Sequence, residues 1–287
     1  MALNIAVCVK PVPDPKHYGK VAIDPVSKTI IRTGIPIVLN PIDKHALELA
    51  LSLREKYGGD VVTISMAPPN AEEVLRETLA IGADSAYLLS DNAFGGADTL
   101  ATSYTLCQAL KKIEAAGGYS FDFVLCGSES ADGATAQVPS QLGEWLGFPH
   151  LWNACAFDNM GDSKKGAFAV KTKIENGFME WKAYPPLVIG VAREINKPRF
   201  TSVMGILKAK NKPLTVWDRA DLNFADETYI GLKGSPTQPG EIFSMNLKRS
   251  GEAITGALDE IAARILMVLR SNGVNIETPA GGPDNGV

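Results

Sequence analysis

Little in this sequence is built for acid–base or metal chemistry. Of its 287 residues only three are histidine and four are cysteine. His17, His45 and His150 stand far apart, and neither Gly-x-Ser-x-Gly nor His-Glu-x-x-His occurs. No nucleophile–base set and no zinc helix is therefore signalled, and we assign no catalytic residue and no metal ligand. Cys8, Cys107, Cys126 and Cys155 form no Cys-x-x-Cys pair and sit in apolar company, which predicts buried free thiols and a reducing, cytoplasmic setting. The chain has no apolar run of the roughly 18 residues that a membrane span requires. It also lacks a concentrated basic patch, and its net charge is −4, which argues against nucleic acid as a partner. The opening residues, MALNIAVCVK, read as a first strand and not as a signal peptide. Gly-x-Gly-x-x-Gly and Gly-x4-Gly-Lys-[Ser/Thr] are both missing, so neither the common dinucleotide fingerprint nor a phosphate-binding P-loop is present in its usual form.

What the sequence does have is alternation. Apolar, β-branched runs at 4–9, 61–66, 85–89 and 121–126 fit buried parallel strands. Between them lie helical stretches with clear start and stop signals. Asn40-Pro41 reads as an N-cap and first helical residue, with Asp43 in the first turn and Gly58-Gly59 as the stop. A second helix over 71–81 ends at Gly82. A third starts at Asp98 and closes at Gly117-Gly118, and a fourth covers about 134–146 before Gly147. The pattern predicts an α/β protein with a doubly wound, mostly parallel, Rossmann-like sheet. A peripheral hairpin is expected over 21–31, with its turn at 24–28.

After Pro149 the grammar changes. Segments 167–173 and 177–183 read as a β-hairpin, and 187–192 as a last strand returning to the sheet. The basic stretch 193–212 reads as irregular, and about 215–248 as polar and turn-rich. An amphipathic helix follows over 251–272, with Ile254, Leu258, Ile261, Ile265, Leu266 and Leu269 on one face. It either packs back on its own sheet or docks on something outside it. The tail 278–287 reads as disordered. The expected division is a nucleotide-binding domain at 1–212 and an extended C-terminal arm at 213–287.

Four loops leave the carboxyl ends of the parallel strands, at 10–14, 67–70, 91–98 and 127–133. Ligands of open α/β sheets bind at such ends. The richest is Gly127, Ser128, Glu129, Ser130, Ala131, Asp132, Gly133, Ala134, Thr135, Ala136 and Gln137, running into Val138. Its small side chains would let a ligand approach the backbone, Gly133 tolerates positive φ, and Thr135 and Gln137 can donate to phosphate oxygens. It is either a phosphate-binding loop or a merely capped strand–helix turn.

Several segments, in order, resemble the electron-transfer flavoprotein beta-subunit family. They are VCVKPVPD, LNPIDKHALELALSLREKYGG, VVTISMAPPNAEEVLRETLAIGADSAYLL, ADTLATSYTL, the Gly127 loop and REINKPRFTSVMGILKAK. The resemblance implies a soluble, cytoplasmic electron carrier that pairs with an alpha subunit, which the C-terminal arm embraces. By matching position it places an adenine nucleotide against Cys8, Val9, Asn40, Pro41, Ile42, Asp43, Met66, Asp98, Thr99 and the loop from Gly127 to Val138. It makes residues 193–210 a recognition loop for acyl-CoA dehydrogenases or similar flavin dehydrogenases, with Ile195 as apolar anchor and Arg199, Lys208 and Lys210 around it. The Asp132-Gly133-x-Thr135-Ala136-Gln137 pattern resembles the electron-bifurcating branch. That branch holds FAD here, accepts hydride from NADH, and divides electrons between the alpha-subunit FAD and ferredoxin. The conventional branch holds structural AMP instead. Where the family's loop begins with a basic residue and Gln, this one has Ser128 and Glu129. A reading of another class is a stand-alone adenine-nucleotide-binding regulatory domain.

Overall fold

The computed structural model describes residues 2–20, 22–23, 30–31, 35–159, 166–238, 240 and 251–274. The chain forms two compact units, Met1–Ile242 and Phe243–Val287. In the first unit the elements run β1 (Leu3–Cys8), β2 (Pro11–Pro13), β3 (Ala22–Ile23), β4 (Ile30–Ile31), β5 (Ile37–Leu39), α1 (Pro41–Tyr57), β6 (Gly59–Met66), α2 (Glu72–Ile81), β7 (Ser85–Leu89) and α3 (Thr99–Gly117). They continue with β8 (Phe123–Gly127), α4 (Val138–Leu146), β9 (His150–Asn159), β10 (Phe168–Ile174), β11 (Gly177–Ala183), β12 (Leu187–Val191), α5 (Val203–Ala209) and β13 (Leu214–Trp217).

Nine strands make one sheet, ordered β11-β10-β9-β12-β8-β1-β6-β7-β13. The seven from β9 to β13 in that order pair in parallel, while β10 and β11 form an antiparallel edge. Both faces are covered. Ile5, Val7, Val61, Leu125 and Ile189 pack on one side with Leu47, Leu51, Leu75 and Leu79 of α1 and α2. Ala6, Ile64, Val124 and Val188 pack on the other with Leu106, Leu110 and Leu142 of α3 and α4. The doubly wound parallel sheet expected from the alternating pattern is what forms.

Several sequence readings need correction. β9 was not anticipated. Its sequence mixes Asn and Asp with apolar residues, and Asn153 adopts φ 61° where the pairing with β12 shifts register. Helix α4 begins at Val138 and not at 134, because Ala134 (φ 47°) and Ala136 (φ 56°) are left-handed and cannot lie in a helix. The basic stretch after β12 contains the short helix α5, and Leu214–Trp217 is an edge strand on β7, so the first compact unit runs well past residue 212. The hairpin expected over 21–31 is represented by β3 pairing with β4, whereas its turn at 24–28 and the tail at 278–287 lie outside the described residues.

Segment 195–212 is fixed from beneath. Ile195 packs against the core. Arg199 donates to both carboxylate oxygens of Glu48 at 2.8 and 2.9 Å and also bonds Glu55, which uses its guanidinium within the chain. Arg76 donates to the Ala209 and Lys212 carbonyls. The Lys212 ammonium caps the end of α2 by donating to Leu79, Gly82 and Ala83 carbonyls. Phe200, Val203, Met204, Ile206 and Leu207 remain exposed, as do Lys208 and Lys210. In the second unit, taken by itself, α6 (Leu258–Ser271) is amphipathic, with Ile265, Leu266, Val268 and Met267 exposed.

Gly205 lets α5 approach α2, since a Cβ there would run into the Ala80 carbonyl oxygen. Gly205→Ala is expected to push α5 off α2, costing about 1–3 kcal/mol locally. Limited proteolysis between 196 and 212 should accelerate while the far-ultraviolet dichroism of the sheet is unchanged. Cleavage at the wild-type rate would contradict this packing.

Candidate functional site

The strand order turns at the centre of the sheet. The chain leaves β1 for β6 and β7 on one side, and for β8 and β12 on the other. Above this point, at the carboxyl ends of the strands, opens a cleft of about 940 Å³. Its floor includes Cys8 and Cys126, which are register partners on β1 and β8, together with Met66 at the end of β6. The hydrogen bond with Cys8, and then burial, push the Cys126 thiol well up, so it stays protonated at neutral pH.

Asn40 and Asp43 organise one wall. Asn40 occupies the N-cap position of α1, yet its side chain does not cap that helix. It crosses to the β8 loop, donating to the Glu129 carbonyl at 3.0 Å and accepting from the Ala131 N–H at 3.1 Å. Asp43, read as complementing the helix dipole and placed by the resemblance against the nucleotide, is buried and accepts three donors. They are the Lys10 N–H at 2.7 Å, the Gly127 N–H at 3.1 Å and the Asn40 amide at 3.0 Å. A Cβ at position 127 would collide with this carboxylate, which is why glycine ends β8.

The loop from Ser128 to Gln137 then runs along the cleft. Its left-handed residues are Ala134 and Ala136, whereas Gly133, which tolerates positive φ, does not adopt it. A left-handed residue among right-handed ones turns successive N–H groups toward one side, a concave arrangement suited to anions. The Thr99 hydroxyl donates to Gln137 Oε1 at 2.7 Å and ties the start of α3 to this loop. Asp98 caps α3 through the Leu100 and Ala101 N–H groups, both at 3.0 Å, and also accepts from the Thr237 N–H at 2.9 Å.

Of the residues expected at the site, Cys8, Val9, Asn40, Asp43, Met66, Asp98, Thr99, Gly127, Ser128, Glu129, Ser130, Gly133, Thr135, Ala136, Gln137 and Val138 line the cleft. Pro41, Ile42, Ala131, Asp132 and Ala134 are not among the lining residues. Ile42 is core, the Ala131 N–H is held by Asn40, and Asp132 faces Lys10. Sequence reasoning did not single out Lys10, Asp91, Phe94, Gly95, Gly96 or Thr237, which complete the walls. All but Thr237 lie in or next to loops the strand-end rule had marked. Among the described residues no group of three or more His, Cys, Asp or Glu is placed to hold a metal, and no helix is long and apolar enough to cross a membrane.

Residues 27–222 match the family described as "Electron transfer flavoprotein domain". The chain is 41% identical over 272 residues to "Electron transfer flavoprotein subunit beta" of Thermoanaerobacterium thermosaccharolyticum, covering 95% of this chain and 100% of that protein. It is 42% identical to "Caffeyl-CoA reductase-Etf complex subunit CarD" of Acetobacterium woodii, covering 93% and 98%. It is 36% identical to "Protein FixA" of Azorhizobium caulinodans, covering 84% of each. The chain belongs to the electron-transfer flavoprotein family, among its beta subunits. Electron transfer is the family's role, its members associate with flavin or nucleotide, and beta subunits pair with an alpha subunit.

Burial, the largest influence, pushes the Asp43 carboxyl from 3.8 up to about 7, against three donors that favour its charged form. Between these values the native state keeps a proton that the unfolded chain has released. The carboxyl's contribution to stability therefore declines as pH rises from about 4 to about 7 and is flat above. Asp43→Asn removes this titration. The stability of wild type minus that of Asp43→Asn should fall by on the order of 2 kcal/mol between pH 5 and pH 8. Denaturant unfolding at both pH values measures it, and an unchanged difference would refute the assignment.

Proposed function

We propose that this cleft holds FAD by its adenine-nucleotide end and that NADH is the electron donor. The chain, paired with an alpha subunit, would serve an electron-bifurcating carrier that supplies an acyl-CoA dehydrogenase-type flavoenzyme and ferredoxin. The observation that carries this reading is the size and lining of the cleft. Its volume of about 940 Å³ lies near the top of the range for small-molecule sites, more than a mononucleotide needs. FAD bound there would supply hydride acceptance and onward one-electron transfer. The protein's share is positioning. Thr135 to Gln137 offer backbone N–H groups to phosphate, Asn40 and Asp43 hold the loop in place, and the thiol of Cys126 with Met66 and Phe94 gives an uncharged, polarisable surface for a flat ring. A relative whose name joins it to a caffeyl-CoA reductase complex supports the acyl-CoA-type partner.

The exposed Phe200, Met204 and Leu207 with Lys208 and Lys210 suit transient, electrostatically steered docking of that flavoenzyme. Ile195 and Arg199 serve it indirectly, holding the segment from below. The apolar face of α6 is assigned to the alpha subunit, and the complex to the cytoplasm.

Counting nucleotides in the complex co-purified with the alpha subunit tests the reading. Two FAD per heterodimer are expected. One FAD with one AMP would make the protein a conventional carrier, and no adenine nucleotide beyond the alpha-subunit FAD would overturn the site. Ala136→Val places a β-branched residue in the left-handed region and should cut the retained nucleotide severalfold, whereas Ala136→Gly should retain it. Equal retention by both would count against the loop.

A further inference from the structure

The charges that face the cleft are unbalanced for a ligand carrying phosphate. Among the described residues its charged lining groups are Asp43, Asp91, Asp98, Glu129 and a single cation, Lys10. The imbalance is written in the sequence as well: the four strand-end loops at 10–14, 67–70, 91–98 and 127–133 contain five carboxylates and one basic residue, again Lys10. Resting on the nucleotide reading above, we propose that Lys10 is the residue that recognises the ligand's phosphate. In the structure described, its ammonium is latched to Asp132 in the loop, from which an arriving phosphate takes it over.

The geometry places the ammonium where this exchange can occur. Lys10 Nζ lies 2.7 Å from Asp132 Oδ1 and 3.3 Å from Ser130 Oγ. It sits beside the turn at Gly133, where an added Cβ would lie 3.9 Å from it. The two left-handed alanines follow directly, so the cation and the concave run of N–H groups belong to one short stretch of cleft wall. The base of the lysine is fixed, because its own N–H is bonded to the buried Asp43 carboxylate and its carbonyl accepts from the Asn40 N–H at 2.9 Å. Only the flexible stem remains to move. The lysine side chain is 48% exposed and free to turn, whereas Asp132 is only 11% exposed, so a phosphate must outcompete a carboxylate that itself relies on this ammonium. A phosphate bound against the same wall would meet the ammonium away from bulk water and receive a stronger, charge-assisted hydrogen bond. Asp132 thus keeps the lysine placed beside this wall. It also opposes a phosphate once one arrives.

Titration calorimetry on the nucleotide-stripped complex of the full chain with its alpha subunit, using AMP and adenosine as probes, tests this. The wild type is expected to bind AMP at least tenfold more tightly than adenosine. Lys10→Met should lose about tenfold in AMP affinity and keep its affinity for adenosine. Asp132→Asn should gain severalfold for AMP and be unchanged for adenosine, which gives the two halves of one ion pair opposite signs. An AMP-to-adenosine ratio in Lys10→Met within twofold of wild type, or an equal loss of both probes, overturns the role of Lys10 and leaves the nucleotide site standing. A wild-type complex that binds neither probe removes the site itself.

Discussion

The buried carboxylate of Asp43 is the constraint from which the cleft takes its shape. Two strands of a parallel sheet end side by side, and the N–H groups of Lys10, two residues past β1, and of Gly127, the last residue of β8, both point to this carboxylate. A single acceptor on α1 satisfies both. Removing it would strand two buried donors, at a cost of roughly 1–3 kcal/mol each. Asn40 extends the same hub to the loop beyond, so β1, β8, α1 and the Ser128–Gln137 wall are joined through two neighbouring side chains. The requirement for glycine at 127 and the placement of Lys10 both follow from where this carboxylate sits.

This arrangement divides the polar groups of the site by task. Asn40, Asp43 and Asp98 are spent on protein hydrogen bonds, and their part is to hold backbone in position. Among the described residues, the groups left to face a ligand include backbone N–H groups, hydroxyls, sulfur, the Glu129 carboxylate and the Lys10 ammonium. A site of that kind can recognise and orient a ligand. That agrees with a family whose chemistry is carried by flavin and whose proteins act through position and partner choice.

Much of this was legible in the sequence because each strand–helix unit carries local punctuation. Asn40-Pro41, Asp98 and the glycines at 58, 82, 118 and 147 start and stop helices where the chain says they should. The strand-end rule then picked out the loops that form the cleft. Elements lacking such signals were missed. β13 is four residues long with one neighbouring strand, and α5 has a glycine at its middle that serves packing at the expense of helix propensity. Side-chain direction was also hidden. Asn40 has the look of an ordinary cap, and nothing local reveals that its amide crosses to residues 129 and 131. Ile195, which the resemblance made an apolar anchor, is partly buried against the core.

The stretch that follows β13 is fastened at successive points around the 91–98 loop. The Ser90 N–H bonds the Trp217 carbonyl, the Arg219 N–H bonds Asp91, the Leu232 N–H bonds the Gly95 carbonyl, and the Thr237 N–H bonds Asp98. Each fastening holds a residue of the cleft's outer wall or its immediate neighbour. Tension arriving along the backbone from beyond residue 240 would therefore be felt first at Thr237 and Asp98, before it could reach the central strands. Among the described residues, the first attachment such tension meets is at the lip of the cavity.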